Sequence, residues 1–238
     1  MKIEEFVQEL NKLNINISEE QLSKLEEYYN YLIEYNNHTN LTTITRKEDV
    51  YLKHFYDSLT IVKSISFKDK AKILDIGSGA GFPGVVLKII FPFLSVYLLD
   101  SNNKKTKFLE ELCKRLELKD IEVINCRAED YVKENRESFD YVFSRAVAKT
   151  RIIVELGVPF LKINGILIVM KASNEVTQDE LNESQGALKL LNCSIQEVLR
   201  FNLPVENSER NLIVIKKDNS TDKIYPRPYD KIVKKPLK

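Results

Sequence analysis

Apolar residues recur at helical spacing through the first quarter of the chain and fall into short extended runs thereafter. Leu22, Leu25, Tyr28, Tyr29, Leu32 and Ile33 mark one helical face. Ser18-Glu-Glu-Gln21 precedes them as a capping box, whose two side chains satisfy otherwise orphaned backbone donors, so a helix is predicted from there to about Asn36. An earlier helix is predicted over 3–13. Thr45-Arg-Lys-Glu48 reads as a second capping box opening a helical stretch to about 65. The polar loop Asn36–Thr43 lies between them. From residue 71 the pattern changes. Strands are predicted at 72–75, 95–99, 121–125, 140–144 and 165–170, with helices at 83–91, 103–117, 149–161 and about 177–190. That alternation implies a parallel sheet with helices on both faces. Runs 194–202 and 210–216 have no helix between them and are expected to form an antiparallel hairpin at the sheet edge.

Composition narrows the class. An apolar content of 43% over 238 residues supports a substantial core. The 36 basic and 35 acidic residues nearly cancel, so overall charge says nothing about nucleic acid. Their distribution is uneven: residues 1–60 carry 11 acids and 6 bases, whereas 216–238 carry 8 bases and 3 acids. The basic end reads either as a phosphate-contacting segment or as a solvated, frayed terminus. Three expected parts follow: an N-terminal helical region (1–66), an α/β core (67–217) and a basic tail (218–238). Cys113, Cys126 and Cys193 are scattered, with no C-x-x-C or Cys/His cluster, which argues against a zinc site or a disulfide framework. No signal peptide or apolar run of membrane length is present, so a soluble cytoplasmic protein is expected, with no membrane partner. Oligomeric state is left open, with a monomer favoured.

The most informative segment is Asp75-Ile-Gly77-Ser-Gly79-Ala-Gly81-Phe82-Pro83-Gly84, after the first predicted strand. Strand, glycine turn and helix start form the entry to a nucleotide-type α/β site. G-x-G-x-x-G alone is a weak signal shared with NAD-binding folds. Asp75 is expected at the mouth of the turn, where it would repel a pyrophosphate and attract a cation. S-adenosylmethionine carries a sulfonium and an ammonium and no phosphate, so it fits this turn better than NAD. With the terminal hairpin, the predicted fold is a Rossmann-like S-adenosylmethionine-dependent methyltransferase fold: a seven-stranded, mostly parallel sheet plus N-terminal helices.

Ligands of open α/β sheets bind beyond the carboxyl ends of the strands. Gly77, Gly79 and Phe82 follow the first strand; Phe82 either touches the ligand or seats the helix. Asp100 ends the second, about 20 residues on, the position of an acid that binds ribose hydroxyls. It equally suits an N-cap for 103–117. After the third strand, the Ala128 amide and Glu129 side chain are candidates for adenine, with helix capping the alternative for Glu129. Arg145 ends the fourth, near both the methionine end and the acceptor, unless it serves a structural ion pair. His54 and Asp57 share one helical face and are further candidates to border the acceptor site, although a lone helical histidine is commonly a local hydrogen-bonding residue.

These segments together resemble the bacterial small-subunit ribosomal RNA methyltransferase G family, once called glucose-inhibited division protein B. The resemblance covers nearly the whole chain. It rests on Asn36-Asn-His-Thr-Asn-Leu-Thr42, His54-Phe-Tyr-Asp57-Ser58-Leu59, the glycine turn with its Phe-Pro-Gly extension, Asp100-Ser101 with Lys104-Lys105, Ser144-Arg145-Ala146, Glu209-Arg210-Asn, and Tyr225-Pro226-Arg227. It implies methylation of guanine N7 in 16S ribosomal RNA, free or in the small subunit, with S-adenosylmethionine as donor. It also implies cofactor contacts at Gly77, Phe82, Ala128, Glu129 and Arg145. One departure stands out: the family's tail typically has a glycine soon after Pro-Arg, whereas this chain reads Pro226-Arg227-Pro228-Tyr229-Asp230.

Guanine N7 has a free lone pair and no proton to lose, so no catalytic base is needed, consistent with the lack of a conspicuous acid–base set. No Asn-Pro-Pro-Tyr or Asp-Pro-Pro-Tyr follows the fourth strand, which argues against exocyclic adenine amines; no Pro-Cys argues against cytosine C5. Lys104, Lys105 and the tail bases are candidate phosphate contacts. Alternatives are a small-molecule methyltransferase of the same fold, or a non-catalytic RNA- or ribosome-binding module.

Overall fold

The structure is a computed structural model that describes residues 1–172 and 178–237. Its centre is a seven-stranded sheet in the order β3-β2-β1-β4-β5-β7-β6. The strands are β1 (Lys72–Ile76), β2 (Ser95–Asp100), β3 (Ile121–Asn125), β4 (Phe139–Arg145), β5 (Leu161–Ala172), β6 (Cys193–Asn202) and β7 (Glu209–Lys217). Neighbours among β1–β5 run parallel, and β7 lies antiparallel between β5 and β6. Chain order reverses between β1 and β4, which opens a crevice at their carboxyl ends.

One sheet face is covered by α1 (Ile3–Lys12), α2 (Glu19–Thr39), α5 (Gly84–Ile90) and α6 (Asn103–Arg115). Phe6, Tyr28, Phe55, Phe108 and Phe143 anchor that core. The other face carries α7 (Ala128–Asn135), α8 (Thr150–Gly157), α9 (Gln178–Leu190) and α10 (Tyr229–Lys234), packed around Phe139, Phe160, Leu188 and Ile232. Among the described residues, no helix is long and apolar enough to cross a membrane.

The Ser18–Gln21 capping box forms as predicted, with Ser18 Oγ accepting from the Gln21 amide at 3.2 Å. The expected box at Thr45 does not. Arg46 occupies the N-cap without a side-chain cap, because the helix starts one residue later than the pattern suggests. The stretch that follows is composite: α3 (Lys47–Val50), a π-helical segment (Tyr51–Tyr56), α4 (Asp57–Leu59) and a 3₁₀ turn (Thr60–Lys63). The helix predicted over 149–161 ends at Gly157, and Val158–Phe160 tightens into a 3₁₀ turn holding Pro159. β5 extends beyond its predicted run at both ends. The first position of the helix expected at 177–190 lies outside the described residues.

The basic terminal stretch is neither frayed nor free. Tyr225, Ile232 and Leu237 are buried. Arg227 forks onto Glu155 of α8, Nε to Oε1 and Nη2 to Oε2, both at 2.7 Å. Glu155 is completely buried, so this ion pair clamps the tail to the core.

Candidate functional site

A cleft of about 510 Å³ lies at the carboxyl ends of β1, β2, β3 and β4. Its floor is the turn after β1. The Gly77 and Ser78 amides donate to Leu99 O at 2.7 and 3.2 Å, tying the turn to β2. Gly77 has φ +72°, and a Cβ there would come within 2.6 Å of Val147 Cγ2. Gly79 differs: its added Cβ would meet nothing closer than Gly77 O at 3.8 Å and would occupy the cleft.

Asp75 corrects the sequence expectation. It is completely buried and does not line the cleft. Oδ2 accepts from the Gly84 amide at 2.9 Å, pinning the start of α5 beneath the turn. A Cβ on Gly84 would sit 2.8 Å from that oxygen, which is why the helix can approach so closely. Oδ1 has no hydrogen-bond partner among the described residues. Burial raises the Asp75 carboxyl to about 7, despite the Gly84 bond that favours its charge. The alternation of strand residues decided this placement: Asp75 points into the helix–sheet packing.

Asp100 does line the cleft. Its carboxylate braces two loops, Oδ2 accepting from Gly79 N at 3.0 Å and Oδ1 from Asn102 N at 2.8 Å. The alternative reading of Asp100 as N-cap fails, because Asn102 caps α6 through Lys104 N and Lys105 N. Ala128 and Glu129 open α7 beside the cleft, where first-turn amides have no intrahelical acceptor. Lys105 reaches the cleft wall, whereas Lys104 is exposed on the helix surface.

Phe82 is nearly buried, at 8% exposure, in a ring stack. Its centroid lies 4.3 Å from His54 and 5.4 Å from Tyr28, at interplanar angles of 17° and 13°. It seats the turn and also lends an edge to the cleft. His54 Nδ1 lies 2.9 Å from Arg145 Nη2, and Nε2 lies 3.0 Å from Thr42 Oγ1. Arginine only donates, so Nδ1 must accept and Nε2 carries the proton. Burial and the adjacent Arg145 push the His54 pKa down to about 3.

Arg145 is the hub. Nη2 also donates to Lys53 O at 2.7 Å, and Nη1 to His54 O and Ser58 Oγ, both at 3.4 Å. The Lys53 and His54 acceptors are presented by the π-helical segment, where Asp57 N reaches back five residues to Leu52 O, and Ser58 follows it in α4. Asp57 does not line the main cleft. It lies behind Arg145, 3.7 Å from Nη2 through Oδ2, and 3.3 Å from Arg210 Nε through Oδ1. One carboxylate thus faces two guanidinium groups. Asp57, Arg145, Arg210 and Asn211 line a second recess of about 130 Å³, which shares Arg145 and Ala146 with the cleft. Among the described residues, no group of three or more His, Cys, Asp or Glu could hold a metal.

Sequence reasoning missed Arg210 and Tyr229 as site residues. Arg210 had a signal in the Glu209-Arg210-Asn run, and Tyr229 in the altered tail. Neither gave a distance to the glycine turn.

Residues 21–219 match the family model described as rRNA small subunit methyltransferase G. This chain belongs to that family. It is 45% identical to the Ribosomal RNA small subunit methyltransferase G of Bacillus velezensis, over 95% of each chain. It is also 45% identical to that of Halalkalibacterium halodurans, over 100% of each. The fold is shared with a SAM-dependent methyltransferase from Aquifex aeolicus, with TM-score 0.53 and 18% identity over 74% of this chain and 97% of that one. It is likewise shared with M. jannaschii TYW2 in complex with AdoMet, with TM-score 0.55 and 15% identity over 74% of this chain and 79% of that one.

Proposed function

We propose that this chain transfers a methyl group from S-adenosylmethionine to N7 of a guanine in 16S ribosomal RNA. The observation that carries the reading is the cleft itself: its Cβ-free floor at Gly79, with Asp100, Glu129 and Arg145 around it, within a chain of this family. A volume of about 510 Å³ suits a nucleoside cofactor. The residues fit the group along its length. Asp100 offers its remaining lone pairs to ribose hydroxyls, the Ala128 amide and Glu129 face the base, and Arg145 flanks the amino-acid end.

When bound, S-adenosylmethionine supplies an electrophilic methyl on a sulfonium. The chain's own work is positioning. Neutral His54 keeps a second positive charge away from that cationic centre. Arg145, held by Lys53, His54 and Ser58, stands between the cleft and the smaller recess, where an unpaired guanine would present N7 towards the cleft. Positive charge grows on the purine as N7 is alkylated, so Arg145 acts on O6 or a phosphate and not on N7. Asp57 offsets the Arg145 and Arg210 charges from behind. No general base is assigned, since N7 has no proton to remove.

Calorimetric titration with S-adenosylhomocysteine and a methyl-transfer assay on small subunits from a strain lacking the gene test this reading. Binding with transfer to 16S RNA is expected; transfer to a metabolite in its place would support the small-molecule alternative.

A further inference from the structure

We infer that Tyr229, in the C-terminal strap, forms the aromatic lid over the purine end of the cofactor cleft. This rests on the S-adenosylmethionine reading and goes beyond it by adding a residue outside the family-matched region, which ends at 219.

Tyr229 lines the cleft together with Cys126, Arg127 and Ala128, the residues that follow β3. The glycine turn after β1, Asp100 after β2 and Arg145 after β4 line other parts of the same wall, and β3 is the edge strand on the β2 side, so the residues after β3 mark the end of the cleft that Tyr229 shares. Tyr229 is 36% exposed, and the Arg127 guanidinium lies 5.9 Å from its ring centroid. A phenol ring and a guanidinium plane at one end of a cleft form a receptor for a flat, uncharged heteroaromatic ring. The segment that carries the ring is also anchored. Arg227, two residues earlier, is clamped by Glu155, and Ile232, three residues later, is completely buried. Arg136 donates to the Tyr225 carbonyl on the same strap. An exposed aromatic on an anchored segment loses little further freedom when a ligand covers it.

The chain contains no tryptophan, so Tyr229→Trp places a single indole at the cleft. Its emission should change saturably on titration with S-adenosylhomocysteine in the absence of RNA. By calorimetry, Tyr229→Ala should bind S-adenosylhomocysteine about tenfold more weakly, as expected for one lost base-stacking partner, while Tyr229→Phe stays within about twofold. Melting curves report whether each variant is folded, and the Trp variant reads the site even if the Ala variant is not. Unchanged affinity of Tyr229→Ala with a silent indole would overturn the inference. So would a loss confined to RNA binding, which would make Tyr229 an RNA contact. Absence of S-adenosylhomocysteine binding by the unmodified protein would instead remove the cofactor reading itself.

Discussion

Arg145 Nη2 donates to His54 Nδ1 at 2.9 Å, so a permanently charged side chain holds the neighbouring imidazole neutral. His54 sits at about 3, well below the usual 6.5, through burial first and Arg145 second. A histidine lowered in this way favours folding fully above 6.5, and that contribution is lost as pH falls towards 3. Only two histidines are present, so their ring resonances are separable by substitution. The His54 resonance should stay constant between pH 5 and 8; a titration midpoint near 6.5 would contradict the assigned tautomer.

Lysine at position 145 keeps the charge and loses the fork. It cannot serve Lys53 O, His54 Nδ1 and Ser58 Oγ together. Arg145→Lys should lower kcat/KM for RNA methylation by about 100-fold through misplacement of the π-helical segment. Steady-state kinetics with a parallel melting curve separate this from unfolding.

Asp75 has the opposite pH linkage. Its carboxyl is raised by burial from 3.8 to about 7, so the folded chain keeps a proton that the unfolded chain releases. The stability this group contributes is fully present below 3.8 and is lost as pH rises towards 7. Asp75→Asn retains an acceptor for Gly84 N and removes the titration. Urea unfolding should show its stability relative to the parent rising by on the order of 2 kcal/mol between pH 5 and 8. A flat difference would show that Asp75 is charged in the fold.

Arg227→Ala leaves the buried Glu155 carboxylate without its charged partner, keeping only the backbone amide of residue 227 at 3.1 Å. The cost should be about 3 kcal/mol, a fall in melting temperature of roughly 10 °C for a domain of this size. Calorimetric scanning checks it, and a shift of a degree or two would mean that the strap is held by its apolar residues alone.

Gly79→Ala separates folding from binding. The new Cβ meets no atom within ordinary contact except Gly77 O at 3.8 Å, but φ is +58°. Stability should fall by about 1 kcal/mol, while S-adenosylhomocysteine affinity drops roughly tenfold or more because the methyl occupies the cleft. Equal affinity would place the cofactor elsewhere.

Much of this architecture was legible in the sequence. Short apolar runs alternating with amphipathic segments determine a parallel sheet, and two adjacent runs without a helix determine the β6–β7 hairpin. The glycine turn and the residues after β2, β3 and β4 located the cleft, because strand carboxyl ends converge there by topology. The direction of Asp75 was not legible, since the motif places it beside the turn without saying on which face of β1 it lies. The Asp57–Arg210 contact joins residues over 150 positions apart, and no local pattern encodes it. Tyr229 was visible as a departure from the family's tail; that the tail folds back depends on Arg227 meeting Glu155, a pairing apparent only in three dimensions.

The central claim is transfer to one atom. 16S RNA from a strain lacking the gene should be incubated with the protein and S-adenosylmethionine carrying a deuterated methyl, digested to nucleosides and analysed by mass spectrometry. The label is predicted in 7-methylguanosine alone, from a single position. Label in another nucleoside or in protein, or none in RNA, would contradict it.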